Sequence, residues 1–243
     1  MPVIERYHRP QEIEEALGLI VQKGRSAAIL AGGTALVPRL DDDILDVIDL
    51  QSLALDQVDI STDRVIVGAM TRLQRIVAHE AIPSAVRQAA KLEGPNTLRN
   101  AATVGGTLIQ SDWTSELYAA LLAFDAEVTV QTAGDLCDIA LQEFDASDFA
   151  DGIVIKVSFA TSGAVAHERL ARTPADSPIV ATIGRRDPEG EIRLAFCGVA
   201  EKPLLLTLDE LQSLIPPGDF RGSSEYRRAM AIVLARRVIK ALT

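Results

Sequence analysis

Two short segments carry the clearest chemical signal in the sequence. Ile29 to Leu36 reads ILAGGTAL and holds Gly32-Gly33-Thr34; Thr103 to Thr107 reads TVGGT and holds Gly105-Gly106-Thr107. Glycine lets a backbone approach an oxyanion closely, and successive free N–H groups donate to it without any basic side chain. A lone Gly-Gly pair is usually just a tight turn. Two of the form apolar–Gly–Gly–Thr, far apart in sequence, point to one anionic ligand such as a pyrophosphate, held between two backbone turns. No G-x-G-x-x-G follows a strand and no G-x-x-x-x-G-K-[ST] occurs, so the Rossmann and P-loop fingerprints are absent.

No other chemistry is prominent. The sequence has no G-x-S-x-G elbow, and neither Cys137 nor Cys197 lies beside a histidine in a recognisable motif. Two cysteines cannot supply the four thiolates of an iron–sulfur cluster, and both read as small buried apolar residues. His8, His79 and His167 are scattered without ligand spacing, so no metal site is expected. Asp41-Asp42-Asp43 lacks the alternating ligands and the glycine of a calcium loop and reads as a solvated turn. No catalytic side chain stands out. If the protein is catalytic, a cofactor must carry the reaction.

The chain has 243 residues, 48% apolar and 24% charged, enough for one large domain or two modest ones with a substantial core. A net charge of −10, with no long Lys/Arg run, argues against nucleic acid as a partner. No apolar run is long enough to span a bilayer, and MPVIERYHRPQEIEE lacks the apolar centre of a signal peptide, so no membrane insertion and a cytoplasmic location are expected.

The elements that would position the two segments follow from periodicity. Ile13, Ala16, Leu17, Ile20 and Val21 place a helix over residues 11–23, ended by Gly24. Ala27 to Leu30 is a strand leading into the first Gly-Gly segment, and Ile44 to Leu50 and Arg64 to Met70 are further strands. Thr71 caps a helix to about Glu80, and a second helix runs from Pro83 to about Glu93, broken by Gly94-Pro95. Thr114 or Ser115 caps a helix with Glu116 in its first turn and Leu117, Ala120, Leu121 and Phe124 buried. Strands follow at Glu127 to Thr132, Ile153 to Phe159, Val165 to Leu170, Ile179 to Gly184 and Ile192 to Val199; the last two flank a hairpin turn at Arg186 to Gly190. Residues 135–151 show little pattern, and Pro216-Pro217-Gly218 is a hard break. A final helix over residues 223–242 would bury Tyr226, Met230, Val233, Leu234 and Val238 and leave Arg227, Arg228, Arg236, Arg237 and Lys240 mostly on a solvated face. The map is mixed α and β with a seam near Ala160 to Ala164.

In this order the motifs resemble those of the FAD-binding medium subunit of the molybdenum hydroxylases, a family that includes carbon monoxide dehydrogenase and bacterial relatives of xanthine dehydrogenase. The likeness covers nearly the whole chain. Tyr7-His8-Arg9-Pro10 is similar to the family's Y-x-R-P, Ala31 to Thr34 to its AGGT loop, and Gly68 to Thr71 to its GAMT. Arg99-Asn100 with Thr103 to Gly106 resembles R-N-x-x-T-[IV]-G-G, and Ala119 to Val128 resembles PALLALDAEV. Arg172 to Asp176 and Glu225 to Arg228, with Arg236-Arg237, complete the series.

The resemblance implies an α+β fold of the p-cresol methylhydroxylase or vanillyl-alcohol oxidase type. It implies an FAD-binding domain over residues 1–160, with subdomains of about 1–52 and 53–160, and a C-terminal sheet-and-helix domain over 161–243. It implies FAD as cofactor, held by Ile29, Leu30, Ala31, Gly32, Gly33, Thr34, Ala35 and Leu36 around the pyrophosphate and by Thr103, Val104, Gly105, Gly106 and Thr107 as a second loop. Glu116, Val154 and Arg169 fall where the family places flavin contacts. The implied function is an electron-transfer subunit, working with a large molybdopterin-binding subunit and a small two-cluster iron–sulfur subunit. Alternatives are a flavin-free structural paralogue and a self-standing FAD oxidoreductase.

The chain departs from the family's G-G-N and S-P-x-x-D with Thr107 and with Ser111 to Glu116; it is also shorter between Gly134 and Ile153 and between Pro203 and Phe220. Trp113, the one tryptophan, could stack on the flavin or simply cover its loop.

Overall fold

The computed structural model describes residues 4–243 and contains three sheets. The first is parallel, in the order β1 (Arg6–His8), β3 (Asp46–Asp49), β2 (Ala27–Leu30), and α1 (Ile13–Lys23) packs on it through Ala16, Leu17 and Ile20. The second is antiparallel, in the order β4 (Val58–Ile60), β5 (Arg64–Gly68), β8 (Ile153–Ala160), β6 (Glu127–Gln131), β7 (Leu136–Ala140). The third is also antiparallel, in the order β12 (Leu204–Leu205), β11 (Ile192–Cys197), β10 (Val180–Arg186), β9 (Ala164–Leu170). The helices between them are α2 (Leu73–Ala78), α3 (Ser84–Leu92), α4 (Asn96–Arg99), α5 (Val104–Gln110), α6 (Glu116–Ala123), α7 (Leu208–Ser213) and α8 (Ser224–Leu242). Among the described residues, no helix is long and apolar enough to cross a membrane.

Helix α6 joins the second and third sheets. Its sequence, ELYAALLA, is buried at every position, where the sequence pattern predicts a single buried face. A helix apolar all round must be enclosed on all sides; α6 packs on α3 and on β10, β11 and β12. One continuous core therefore runs from Val65 and Val67 through Leu117 and Leu121 to Ala181, Ile183 and Ala195. Ser115 caps α6, its Oγ accepting from the Tyr118 N–H at 3.0 Å.

Three local expectations change. The helix expected to be capped by Thr71 begins one residue later, at Leu73 with Arg72 at its N-cap. Thr71 does not cap it: its carbonyl accepts from Val104 N–H at 3.0 Å, and Arg72, itself extended, pairs with Thr103 as an isolated bridge. Residues 104–110 form a helix rather than a turn. The last helix is rotated: Arg227, Ala231, Leu234, Ala235, Val238 and Leu242 are buried, while Tyr226 and Val233 are exposed. The rotation carries Arg227 into the interior; Arg236, Arg237 and Lys240 remain solvated as expected.

Candidate functional site

The two Gly-Gly segments meet through close backbone packing. An added Cβ on Gly32 would lie 2.2 Å from the Ala101 carbonyl oxygen, so only glycine lets the first segment rest against the chain leading into the second. An added Cβ on Gly105 would lie 2.8 Å from Ala69 Cβ, so the second segment is seated on the end of β5 in the same way. Between the segments lies a cavity of about 580 Å³. Ile29, Ala31 to Leu36, Thr103, Gly106 and Thr107 line it, with Arg39, Glu93, Asp112 and Ser115 among the polar residues and Ser177-Pro178 at another wall. The volume lies within the range of roughly 300–1,000 Å³ common for small-molecule sites.

The donors of the two segments differ. Gly33 takes φ +71 and its carbonyl accepts from Val37 N–H at 3.0 Å, but the N–H groups of Gly32 through Leu36 donate to no acceptor among the described residues. In the second segment Thr103 caps α5. Its Oγ1 accepts from Gly106 N–H at 3.1 Å; Val104 N–H donates to Thr71 O at 3.0 Å and Gly105 N–H to Ala69 O at 2.8 Å. The Thr107 hydroxyl donates to Thr103 O at 3.1 Å. Both segments border the cavity, yet of the two only the first has a run of backbone donors without acceptors among the described residues.

Glu116, Arg169 and Val154 do not line this cavity. Glu116 is 1% exposed, and both its carboxylate oxygens take the Arg169 Nε–H, at 3.0 and 3.2 Å, while His167 Nε2 lies 2.7 Å away. Arg169 also donates to the Pro174 and Asp176 carbonyls at 3.2 and 2.7 Å, which ties it to the segment ending at Ser177-Pro178. The pair thus braces one wall from behind. Val154 is buried on β8 opposite Val130.

Trp113 packs against two arginines. Its ring faces the Arg227 guanidinium at 4.6 Å and that of Arg221 at 5.7 Å. Arg227 is fully buried and donates to Gly198 O at 3.1 Å, to Asp219 at 2.5 Å and to the Ile179 carbonyl. Burial pushes the Asp219 carboxyl up, but the bonds from Arg221 and Arg227 outweigh it and hold the group well below the usual carboxylate range. Cys197 is buried, and desolvation raises its thiol well above the ordinary value, as suits an inert core residue; Cys137 on β7 is only half-buried.

Sequence reasoning missed Glu93. Its Oε1 accepts from Ser115 Oγ at 2.9 Å and from Leu117 N–H at 2.8 Å. Burial, aided by the charges of Glu116 and Asp112, pushes its carboxyl up to about 7 despite those two bonds. Its position at the end of an amphipathic helix gave no signal, because the partners lie more than twenty residues on.

Comparison with known proteins bears on the same regions. Residues 3–159 match the family described as the FAD binding domain in molybdopterin dehydrogenase. The uncharacterized protein YgfM of Escherichia coli K12 is 33% identical over 96% of this chain and 94% of its own length. The glyceraldehyde dehydrogenase medium chain of Sulfolobus acidocaldarius is 25% identical over 96% of both chains. A solved chain of carbon monoxide dehydrogenase from Hydrogenophaga pseudoflava, 22% identical, superposes over 100% of this chain and 98% of that one with a TM-score of 0.88, which shows a common fold.

Proposed function

This chain belongs to the FAD-binding medium subunits of the molybdenum hydroxylases, and on that premise we propose that it binds FAD and passes electrons from iron–sulfur clusters of a partner subunit to an external acceptor. The observation that carries the reading is the run of N–H groups from Gly32 to Leu36, without acceptors among the described residues, along the wall of a 580 Å³ cavity. Successive backbone donors of this kind form a concave anion site. A pyrophosphate fits that donor set, and Arg39 adds a positive charge at the same wall.

When bound, FAD would supply the capacity to take up and release electrons. This chain would contribute its position. The first Gly-Gly segment would hold the pyrophosphate, Thr103 and Thr107 would offer hydroxyl oxygens from the facing wall, and the Glu116–Arg169 pair would brace the Ser177-Pro178 wall. The cavity's Thr103 and Ser115 hydroxyls cap helices and that of Thr107 bonds within its own helix; substrate oxidation is assigned to a large molybdopterin-binding partner and cluster chemistry to a small iron–sulfur partner. The division into an FAD-binding part over residues 1–160 and a C-terminal part over 161–243, and a cytoplasmic location, belong to the same proposal.

The test is an absorption spectrum of the purified chain after addition of FAD and desalting. Flavin bands eluting at one per chain are expected. In a reconstituted complex, flavin that stays oxidised during substrate turnover would sink the electron-transfer role. A second reading, a flavin-free scaffold subunit, is favoured by the internal pairing of Glu116 with Arg169 and by the closed donors of the second segment. A folded chain that never retains FAD would support it.

A further inference from the structure

Glu93 lines the cavity from the C-terminal end of α3, and only one of its oxygens is used by the protein. Oε1 accepts two hydrogen bonds at the start of α6; among the described residues Oε2 has no partner and no cation bridges to the carboxyl. The charged groups around it are Asp112 in the preceding loop, Glu116 on α6, with His167 and Arg169 of β9 behind it, and Arg39 across the cavity. Cys197 on β11 is the remaining titratable neighbour.

We propose that Glu93 is a neutral carboxylic acid in the FAD-loaded chain and donates from Oε2–H to an acceptor of the dinucleotide, so that FAD binding takes up a proton. The inference rests on the FAD reading above and assigns Glu93 as a positioning residue within that site. Three physical effects favour the neutral form. A bound ligand excludes the water that would solvate a carboxylate. A pyrophosphate adds negative charge to a site that Asp112 already lines, with Glu116 close behind. With Oε1 accepting two bonds, the proton belongs on Oε2, the oxygen left for the ligand. Burial already raises the ligand-free group to about 7, so binding need move it only slightly to keep it protonated near neutral pH.

Linkage gives two readouts. Without FAD, a carboxyl raised from about 4.5 to about 7 binds its proton more tightly in the folded state. The stabilisation is fully present below about 4.5 and is lost as pH rises through about 7. Glu93→Gln, which keeps a donor and removes the titration, should lack that slope in denaturation experiments. With FAD, wild-type affinity should fall as pH rises from the carboxyl's midpoint in the free chain to its midpoint in the complex, by no more than about tenfold per pH unit, the limit for one linked proton. Glu93→Gln should bind FAD with affinity independent of pH. Wild-type chain in weak buffer should also take up protons when FAD is added, a measurement that needs no variant.

FAD bound with a flat pH profile and no proton uptake overturns this inference and leaves the FAD reading standing. A Glu93→Gln chain with the wild-type slope overturns it too. Failure to bind FAD at any pH overturns both.

Discussion

Gly32-Gly33-Thr34 and Gly105-Gly106-Thr107 read alike, yet the first lines the cavity with its N–H groups unpaired among the described residues and the second gives its own to Ala69 and Thr103. Aligned on the glycines, Leu30 corresponds to Thr103. Leucine has no acceptor to hold the N–H three residues on, whereas the Thr103 hydroxyl captures that of Gly106 and caps a helix. The residues on the C-terminal side differ as well. Leu108-Ile109-Gln110 continues the helix; the first segment meets Pro38 within a short 3-10 turn and goes no further. The same glycine pair therefore leaves backbone donors open in one setting and starts a close-packed helix in the other.

The sharpest way to break this comparison is Gly32→Ala. Its Cβ would meet the Ala101 carbonyl, which also accepts from Arg72, so neither side can yield easily. We expect a loss of roughly 3 kcal/mol in chemical denaturation and no flavin retained after desalting. Gly105→Ala should cost less, about 2 kcal/mol, because Ala69 offers a methyl group and a carbonyl at 2.8 and 3.0 Å that can shift with β5. FAD affinity of the folded variant should be unaltered. If Gly105→Ala abolished FAD binding with the fold intact, the second segment would be a ligand cradle after all.

Thr103→Val isolates the residue that separates the two segments. Loss of the cap should cost about 1 kcal/mol and speed hydrogen exchange at Gly106. An unchanged exchange rate would mean that α5 is held by packing alone and that the Leu30–Thr103 contrast explains nothing.

How much of this was legible in the sequence varied with the range of the interaction. Strand β2, helix α1, the Ser115 cap and the pairing of β10 with β11 depend on local periodicity and turn composition, and the chain shows them. Residues of both Gly-Gly segments line one cavity, though Leu30, Val104 and Gly105 are not among them. Helix α5 was hidden because two glycines mask a helix start whose evidence is one threonine side chain. Strand β1 was hidden by its charge: Arg6 and His8 pair with buried Asp46, and the Tyr7 hydroxyl donates to buried Asp49. Arg227 read as a solvated cation because three of the partners that enclose it, Trp113, Ile179 and Gly198, are distant in sequence; only Asp219 is near. Glu116 and Arg169 fall where the resemblance implies flavin contacts; that they pair with each other was hidden because they lie 53 residues apart in sequence.

The smallest effect tests whether the second segment reaches a ligand by side chain where its backbone does not. Thr107 lines the cavity, and its hydroxyl donates to Thr103 O while its lone pairs remain available. Thr107→Val keeps the shape and removes the oxygen. One lost neutral hydrogen bond to FAD corresponds to about a three- to fivefold weaker affinity, with stability changed by only a few tenths of a kcal/mol because helix α5 keeps its Thr103 cap. Unchanged FAD affinity would confine the second segment to packing and leave the first, with its open N–H groups, as the anion-binding element of the pair.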